Sequence, residues 1–137
     1  MKFLHCMIRV KDVPLTLWFY ELLGLKLLRQ KDYPNGQYTL YFLATEPGAP
    51  EIELTHNWDD CAYTSGNNFG HLAYRVEDIY DLCDRLESNG ISILRPPRDG
   101  HMAFVKDPNG ISIELIQENS ALPPREPWTS MPNVDSW

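Results

Sequence analysis

Residues 69–78 read FGHLAYRVED, and residues 3–12 read FLHCMIRVKD. A shift of 66 places aligns the two stretches and continues without a gap, so that nine of the 27 positions from 3 to 29 are identical. Farther along, Ile52-Glu53-Leu54 recurs as Ile113-Glu114-Leu115 at a slightly shorter shift, which is expected if a loop lost a few residues. We therefore predict one supersecondary unit that occurs twice in the chain.

The first copy begins with an alternating stretch over residues 3–10, which predicts a strand. One face of this strand is apolar and is expected in the core; its residues are Leu4, Cys6, Ile8 and Val10. The opposite face carries His5 and Arg9 among apolar residues. That mixture is typical of the wall of a cleft.

A helix is predicted between Asp12, which can cap its first turn, and Gly24, which can end it. Its expected buried residues recur at helical spacing and are Leu15, Trp18, Phe19, Leu22 and Leu23. Three further strands are predicted over residues 25–29, 38–44 and 51–57. The first copy therefore has the order β-α-β-β-β.

The second copy predicts the same order. Its expected elements are a strand over 69–76, a helix capped by Asp78 and stopped by Gly90, and strands over 91–95, 101–105 and 111–117. We expect a single domain over residues 1–118, with repeat one at 1–57, a linker at 58–68 and repeat two at 69–118. Residues 119–137 contain four prolines and no periodicity. They predict a tail, either free or held on the surface by Trp128 and Trp137.

Composition limits the class of protein. The chain has 137 residues, of which 43% are apolar, so it can bury its own core. No apolar run approaches the ~20 residues of a membrane span, and the N-terminus does not resemble a signal peptide. A net charge of −7 without a cluster of Lys or Arg disfavours a nucleic-acid partner and favours a small molecule. Three cysteines at unpatterned spacings indicate a reduced, cytoplasmic protein.

Each copy has one histidine near its start and one glutamate near its end, namely His5 with Glu53 and His71 with Glu114. A lone strand histidine is more often a hydrogen-bonding or surface group, and a lone glutamate is more often solvated. All four, however, lie on the non-core faces of their predicted strands. Two units related by a pseudo-twofold axis would bring these faces to one cleft, where two imidazoles and two carboxylates suit a divalent metal.

Other polar residues are weaker candidates. His56 and His101 have no counterpart in the other copy and are not expected to be ligands. The segment 107–110, DPNG, fits a tight turn better than a Ca²⁺ loop. Arg9 and Arg75 occupy the same place in each copy; they are either solvated strand charges or, for Arg9, a clamp for an anionic ligand.

A metal held in this way suggests a class of chemistry. As a Lewis acid it would lower the pKa of a C–H bond next to a carbonyl and stabilise the resulting enediolate. A carboxylate that can loosen from the metal is then well placed to accept the proton. The residues therefore indicate proton movement alpha to a carbonyl.

The sequence resembles the glyoxalase I (lactoylglutathione lyase) family of the vicinal oxygen chelate superfamily, in its short bacterial form. The resemblance extends to about residue 118. The matching stretches are LHCMIRVKD (4–12), FYELLGLKLLR (19–29), IELTHNW (52–58), FGHLAYRV (69–76), HMAFVKDPNG (101–110) and IELI (113–116). It implies an α+β fold in which two tandem β-α-β-β-β repeats form curved mixed sheets around a metal cleft.

The resemblance also implies an activity and a set of residues. The implied carbon–sulfur lyase isomerises the hemithioacetal of methylglyoxal and glutathione to S-D-lactoylglutathione, which detoxifies methylglyoxal. The implied metal ligands are His5, Glu53, His71 and Glu114. Glu114 is implied as the principal base, and Glu53 serves the opposite face of the carbon. The implied glutathione contacts are Arg9, Asn57 and Arg95.

The family further implies a homodimer with shared active sites, in which His5 and Glu53 of one chain join His71 and Glu114 of the other. The residues alone leave open whether the sites lie within or between chains. Histidine at position 5 resembles the class that prefers Ni²⁺ or Co²⁺, with Zn²⁺ as an alternative metal. Neither nucleic acid nor membrane is an expected partner.

Two alternatives stay open. The same scaffold and metal can serve another reaction, as an epimerase, a thiol transferase or an extradiol dioxygenase. The dioxygenase is disfavoured because its facial triad has a single carboxylate. A non-catalytic protein of the same fold that sequesters a ligand is the second alternative, although such a protein has no use for four metal ligands.

Overall fold

The structure is a computed structural model that describes all 137 residues of the chain. It divides into two compact units, residues 1–64 and 65–137. Each unit contains one mixed β-sheet and one α-helix. The α+β fold class and the twofold use of one unit are thus confirmed. Neither helix has the length and apolar character that a membrane crossing requires.

The first unit has a four-stranded sheet in the order β1-β4-β3-β2. Its elements are β1 (His5–Arg9), α1 (Val13–Leu23), β2 (Lys26–Tyr33), β3 (Tyr38–Ala44) and β4 (Glu51–Asn57). β1 and β4 are parallel, whereas the other neighbours are antiparallel. The first and last strands of the repeat therefore lie side by side and point the same way.

The second unit has a three-stranded sheet in the order β5-β7-β6. Its elements are β5 (His71–Val76), α2 (Ile79–Ser88), β6 (Met102–Lys106) and β7 (Ser112–Gln117). β5 and β7 are parallel, and β6 and β7 are antiparallel. The first and last strands of this repeat are again neighbours.

Both helices begin at the predicted caps. The Asp12 carboxylate accepts a hydrogen bond from the Leu15 N–H at 2.9 Å, and Asp78 accepts from the N–H groups of Tyr80 and Asp81. Gly24 follows α1 with a φ of 106°, a left-handed conformation that glycine adopts without steric cost. Local sequence thus sets where each helix leaves its first strand.

The prediction of which α1 residues are buried was partly wrong. Phe19 is fully buried, but Leu15 is 44% exposed and Trp18 is 38% exposed. Thr16 and Tyr20 are buried instead, and the Thr16 hydroxyl donates to the Asp12 carbonyl at 2.7 Å. Because α1 is apolar on nearly every side, its periodicity could not indicate which side faces the sheet.

The first strand also starts later than predicted. Leu4 was expected in the core, but its side chain is 64% exposed. β1 begins at His5, and the Leu4 carbonyl only accepts the Glu51 N–H at 2.9 Å at the end of the sheet. Leu4 therefore lies beyond the strand, while Ile8 and Val10 are buried as expected.

Residues 91–95 do not form the predicted strand. Only Arg95 bridges to Phe104 of β6, and Pro96 and Pro97, which have no N–H to donate, prevent the pairing from extending beyond Arg95. The Leu94 carbonyl instead accepts a hydrogen bond from the Val134 N–H at 2.8 Å. The second repeat is therefore β-α-β-β. In the first unit a strand is longer than predicted, because β2 extends to Tyr33 rather than ending at Arg29.

The C-terminal segment is ordered and belongs to the second unit. Trp128 is fully buried, and Trp137 stacks on Phe104 with ring centroids 5.4 Å apart. Both tryptophans are thus anchors, as the sequence suggested.

Candidate active site

The two His–Glu pairs have the same position in the two sheets. In the ladder between β1 and β4, His5 lies opposite the residue two places before Glu53. In the ladder between β5 and β7, His71 lies opposite Ser112, two places before Glu114. Residues two places apart on a strand share a face, so each histidine and its glutamate project from the same side of adjacent strands.

The side chains of each pair are in contact. The Nε2 atom of His5 lies 3.5 Å from the Oε2 atom of Glu53, and the Nε2 atom of His71 lies 3.1 Å from the Oε2 atom of Glu114. The histidine side chains are 41% and 42% exposed and the glutamate side chains 16% and 17% exposed. The two halves of the proposed site are therefore alike in environment as well as in register.

These donor atoms fit a divalent metal. Nitrogen and oxygen ligands lie about 2.1 Å from such a cation, so two neighbouring ligands are about 3 Å apart. The two observed separations are close to this value. Each pair by itself, however, has no third His, Cys, Asp or Glu side chain grouped with it. Each unit thus has two candidate ligands, whereas a zinc site typically has at least three protein ligands.

Glu51 is the remaining carboxylate beside the first pair, because it lies opposite His5 in the sheet. Arg29 engages it in a two-pronged ion pair, with Nη2 to Oε2 at 2.8 Å. The hydrogen bond from Arg29 lowers the pKa of Glu51 below its ordinary value. Since its charge is already compensated, Glu51 is a poor additional ligand.

A cleft of about 320 Å³ opens beside Glu53. Its lining residues are Arg9, Tyr38, Leu40, Glu53, Thr55 and Asn57. Arg9, Glu53 and Asn57 were singled out from the sequence, and the structure brings them together. The Asn57 side-chain amide also donates to the Tyr63 hydroxyl at 2.9 Å, which fixes the amide at the edge of the cleft.

Arg95 differs from the other two candidate substrate contacts. It belongs to the second unit, and its side chain is only 17% exposed. Its Nη2 atom donates to Asp99 at 2.9 Å, and its Nη1 atom donates to the Met102 carbonyl. The guanidinium therefore already has two partners within its own unit.

His56 and the segment 107–110 make local contacts away from the His–Glu pairs. The Nδ1 atom of His56 lies 3.3 Å from the Val10 carbonyl oxygen, away from the Glu53 face. The Asp107 carboxylate accepts hydrogen bonds from the N–H groups of Asn109 and Ile111, both at 2.8 Å. Residues 107–110 thus form the predicted tight turn between β6 and β7.

Two aromatic neighbours of the site were missed. Tyr38 lines the cleft because it pairs with Asn57 across the sheet, and Phe104 lies beside the second pair because it pairs with Glu114. The turn over 107–110 sets the register between β6 and β7. The sequence therefore did indicate that Phe104 would lie opposite Glu114. Nothing local to Tyr38 indicated its partner.

The sequence comparison identifies the class of protein, and the fold with its repeated His–Glu pairs agrees with it. Residues 2–115 match the family described as the glyoxalase/bleomycin resistance protein/dioxygenase superfamily. The chain belongs to this superfamily.

Individual relatives narrow the comparison. The chain is 49% identical over 125 residues to a probable lactoylglutathione lyase of Synechocystis. The aligned region covers 85% of this chain and 95% of the relative. It is 44% identical to the lactoylglutathione lyase of Neisseria meningitidis serogroup A, over 88% of this chain and 93% of the relative. Among solved structures, the trypanothione-dependent glyoxalase I of Leishmania major superposes with a TM-score of 0.82 and 40% identity, covering 86% of this chain and 87% of that one.

Proposed function

We propose that this chain is a metal-dependent lactoylglutathione lyase that converts the methylglyoxal–glutathione hemithioacetal to S-D-lactoylglutathione. The observation that carries the proposal is the repeated His–Glu pair, in the same register and with the same exposure in both units. The identity to curated lactoylglutathione lyases over most of the chain supports it.

In this proposal His5, Glu53, His71 and Glu114 hold one divalent metal, preferably Ni²⁺ or Co²⁺, with Zn²⁺ as the alternative. When bound, such a cation supplies a Lewis acid that acidifies a C–H bond beside a carbonyl. Since each unit contributes two ligands, both kinds of unit are needed for one site. A site shared between two chains of a homodimer meets this need.

The reaction is an isomerisation, so the protein has to move one proton between neighbouring carbons. Glu114 accepts the proton from the carbon that bears the sulfur and returns it to the adjacent carbon. The hydroxyl proton of the sulfur-bearing carbon moves to the ketone oxygen, so the hydroxyl carbon becomes the thioester carbonyl and the ketone becomes an alcohol. Glu53, the equivalent carboxylate of the first repeat, serves the opposite face. The low exposure of both carboxylates limits competing exchange with water.

The cleft beside Glu53 is the proposed binding site for the glutathione part. Arg9 provides a cation for a carboxylate, and Asn57 provides an amide that can hydrogen bond to a peptide group. Arg95 is the third candidate contact, but its guanidinium already bonds to Asp99 and to the Met102 carbonyl. It can bind the substrate directly only if these bonds break.

The location and the assembly are proposed on separate grounds. The cysteines Cys6, Cys61 and Cys83 are free, which supports a cytoplasmic location where thiols stay reduced. The exposed side chains of Leu15 and Trp18 on α1 support a homodimer, because apolar surface of this kind is stabilised by burial against a partner.

The test is a metal-dependence assay. Protein stripped with a chelator should form no thioester from methylglyoxal and glutathione, as followed by absorbance, and Ni²⁺ or Co²⁺ should restore more activity than Zn²⁺. Full activity after metal removal, or no thioester with any of the three ions, would refute the proposal.

The thiol is tested in the same assay, because the Leishmania relative is described as trypanothione-dependent. We expect the glutathione hemithioacetal to be converted with a higher kcat/KM than the trypanothione one. The reverse preference would leave the lyase reaction in place and mean that its substrate is the trypanothione hemithioacetal.

A further inference from the structure

The C-terminal segment, residues 119–137, lies outside the stretch that matches the family, which ends at residue 115. It is nevertheless bound to the second unit at several points along its length. The Leu122 N–H donates to the Gly100 carbonyl at 2.9 Å, and Arg125 donates to Asp84 at 2.8 Å. Near the end of the chain, Lys106 donates to the Ser136 carbonyl at 2.6 Å.

These contacts bring the last residue to the second His–Glu pair. The Trp137 ring stacks on Phe104, with centroids 5.4 Å apart and planes 23° from parallel. The Phe104 ring in turn meets the His71 imidazole edge-on, with centroids 5.3 Å apart and an angle of 86°. Phe104 also lies opposite Glu114 in the sheet, so it is adjacent to both proposed ligands.

The first repeat shows that this aromatic position is covered in a different way. Phe42 lies opposite Glu53 as Phe104 lies opposite Glu114. The guanidinium of Arg29 sits over the Phe42 ring at 3.8 Å from its centroid. Both repeats thus place an aromatic ring beside the glutamate and cover that ring with a flat side chain.

The arginine of the second repeat does not perform this role. Arg95 corresponds to Arg29 under the 66-residue shift, but it bonds to Asp99 and to the Met102 carbonyl instead. The ring of Trp137 stacks on Phe104 in its place. The tail therefore supplies in the second repeat the cover that an arginine supplies in the first.

We propose that Trp137 is a positioning residue for His71, which it restrains through Phe104. The proposal rests on the proposed function only in that it takes His71 to be a metal ligand. Stacking holds the Phe104 ring in one orientation, and the edge of that ring limits the rotation of the imidazole. A ligand that is already oriented loses less conformational entropy when it binds a metal.

The experiment compares Trp137→Ala with Trp137→Phe in the full-length protein. The control is Val134→Ala, which truncates another exposed side chain of the same tail segment and keeps its backbone hydrogen bond to Leu94. Ni²⁺ affinity is measured by competition with a chelator. The imidazole signals of His71 and His5 are followed by NMR in the metal-free protein, below the melting temperature of every variant.

We expect Trp137→Ala to weaken Ni²⁺ binding by about three- to tenfold, the range for loss of one aromatic pair. In the metal-free protein it should shift and broaden the His71 signals and leave those of His5 unchanged. Trp137→Phe should restore most of both properties, and Val134→Ala should resemble the wild type.

Unchanged His71 signals, or Ni²⁺ affinity within twofold of wild type in Trp137→Ala, would overturn the proposal. An equal loss in Val134→Ala would also overturn it, because general loosening of the tail would then be the cause. A parallel His71→Ala variant separates this result from failure of the metal site. If that variant binds Ni²⁺ as wild type does, the proposed function fails; if it binds weakly and Trp137→Ala does not, only the role of Trp137 fails.

Discussion

Glu114 is the residue on which the proposed proton transfer most depends. Glu114→Gln keeps the size of the side chain and removes the proton acceptor. We expect kcat to fall by about a hundredfold to ten-thousandfold, the usual contribution of a general base. The measurement is the thioester assay with Ni²⁺ at saturating concentration.

Glu53→Gln is the matched comparison, because Glu53 has the same register and exposure. With Glu114 as the principal base, this variant should lose less kcat than Glu114→Gln. Equal losses, with metal content verified in both proteins, would mean that the two carboxylates share the role.

Arg9 is predicted to act on substrate binding rather than on chemistry. Arg9→Ala should raise KM by about tenfold, the effect of losing one hydrogen bond to a charged group, with little change in kcat. Arg75→Ala provides the control, since Arg75 has the equivalent place in the second repeat and does not line the cleft. Equal KM values for the two variants would contradict the role of Arg9.

At the scale of elements, the loop at residue 100 is one of the places where the tail packs closely against the second unit. Gly100 has a φ of +66°, and a Cβ atom there would overlap the carbonyl group of Leu122. Gly100→Ala should therefore reduce the free energy of unfolding by about 2–4 kcal/mol, because strain and overpacking add. Urea denaturation of the variant and the wild type measures this difference in the free energy of unfolding.

Gly90→Ala is the control for conformation alone. Gly90 also has a positive φ, +82°, but a Cβ atom added there would meet no other atom within 4 Å. It should lose only about 1–2 kcal/mol, the penalty for the left-handed conformation. If both variants are destabilised equally, the close approach of Leu122 contributes nothing.

The same loop predicts a pH dependence. Burial opposes ionisation of Asp99, but hydrogen bonds from Arg95 and from the N–H groups of His101 and Met102 outweigh it and lower the pKa of Asp99 from 3.8 to about 2. Since the folded pKa is below the unfolded one, ionised Asp99 stabilises the fold above about pH 4. This stabilisation is lost as the pH falls towards 2.

Asp99→Asn should accordingly lower the melting temperature at pH 7, and the difference from wild type should narrow below about pH 4. Thermal melts between pH 7 and pH 3 provide the measurement. A difference that stays constant over this range would show that the carboxylate charge is not involved.

At the scale of the whole molecule, the repeat made the fold and the two His–Glu pairs predictable. A shift that aligns His5 with His71 also aligns the caps Asp12 and Asp78, so one observation fixed the order of elements in both halves. The failures came where one half departs from the other. The strand predicted over residues 91–95 is reduced to one bridge at Arg95, and the Leu94 carbonyl accepts a hydrogen bond from the tail instead.

The tail itself shows why the rest could not be predicted. Its contacts join residues far apart in sequence, such as Trp137 with Phe104 and Arg98 with the Met131 carbonyl. No periodicity or motif encodes such pairs, because each contact depends on the path that the proline-rich segment follows over the second unit. Likewise, the sequence could not indicate that the Arg95 guanidinium would hydrogen bond to the Asp99 carboxylate.

The two proposed ligands in each unit lead to a prediction about how complete sites are assembled. His5→Ala disables the site half in the first unit, and His71→Ala disables the half in the second. Each variant alone should be inactive. If sites are shared between two chains, a mixed dimer pairs the two damaged halves in one site and the two intact halves in the other.

Co-refolding equal amounts of the two inactive variants should therefore restore about one quarter of wild-type activity, since half of the dimers are mixed and each has one intact site. If each site forms within one chain, every chain in the mixture still carries a damaged site and no activity returns. Refolding each variant alone provides the baseline, and sedimentation of the mixture verifies that dimers form. Activity at the baseline in a dimeric mixture would therefore assign both halves of each site to the same chain and exclude the shared one.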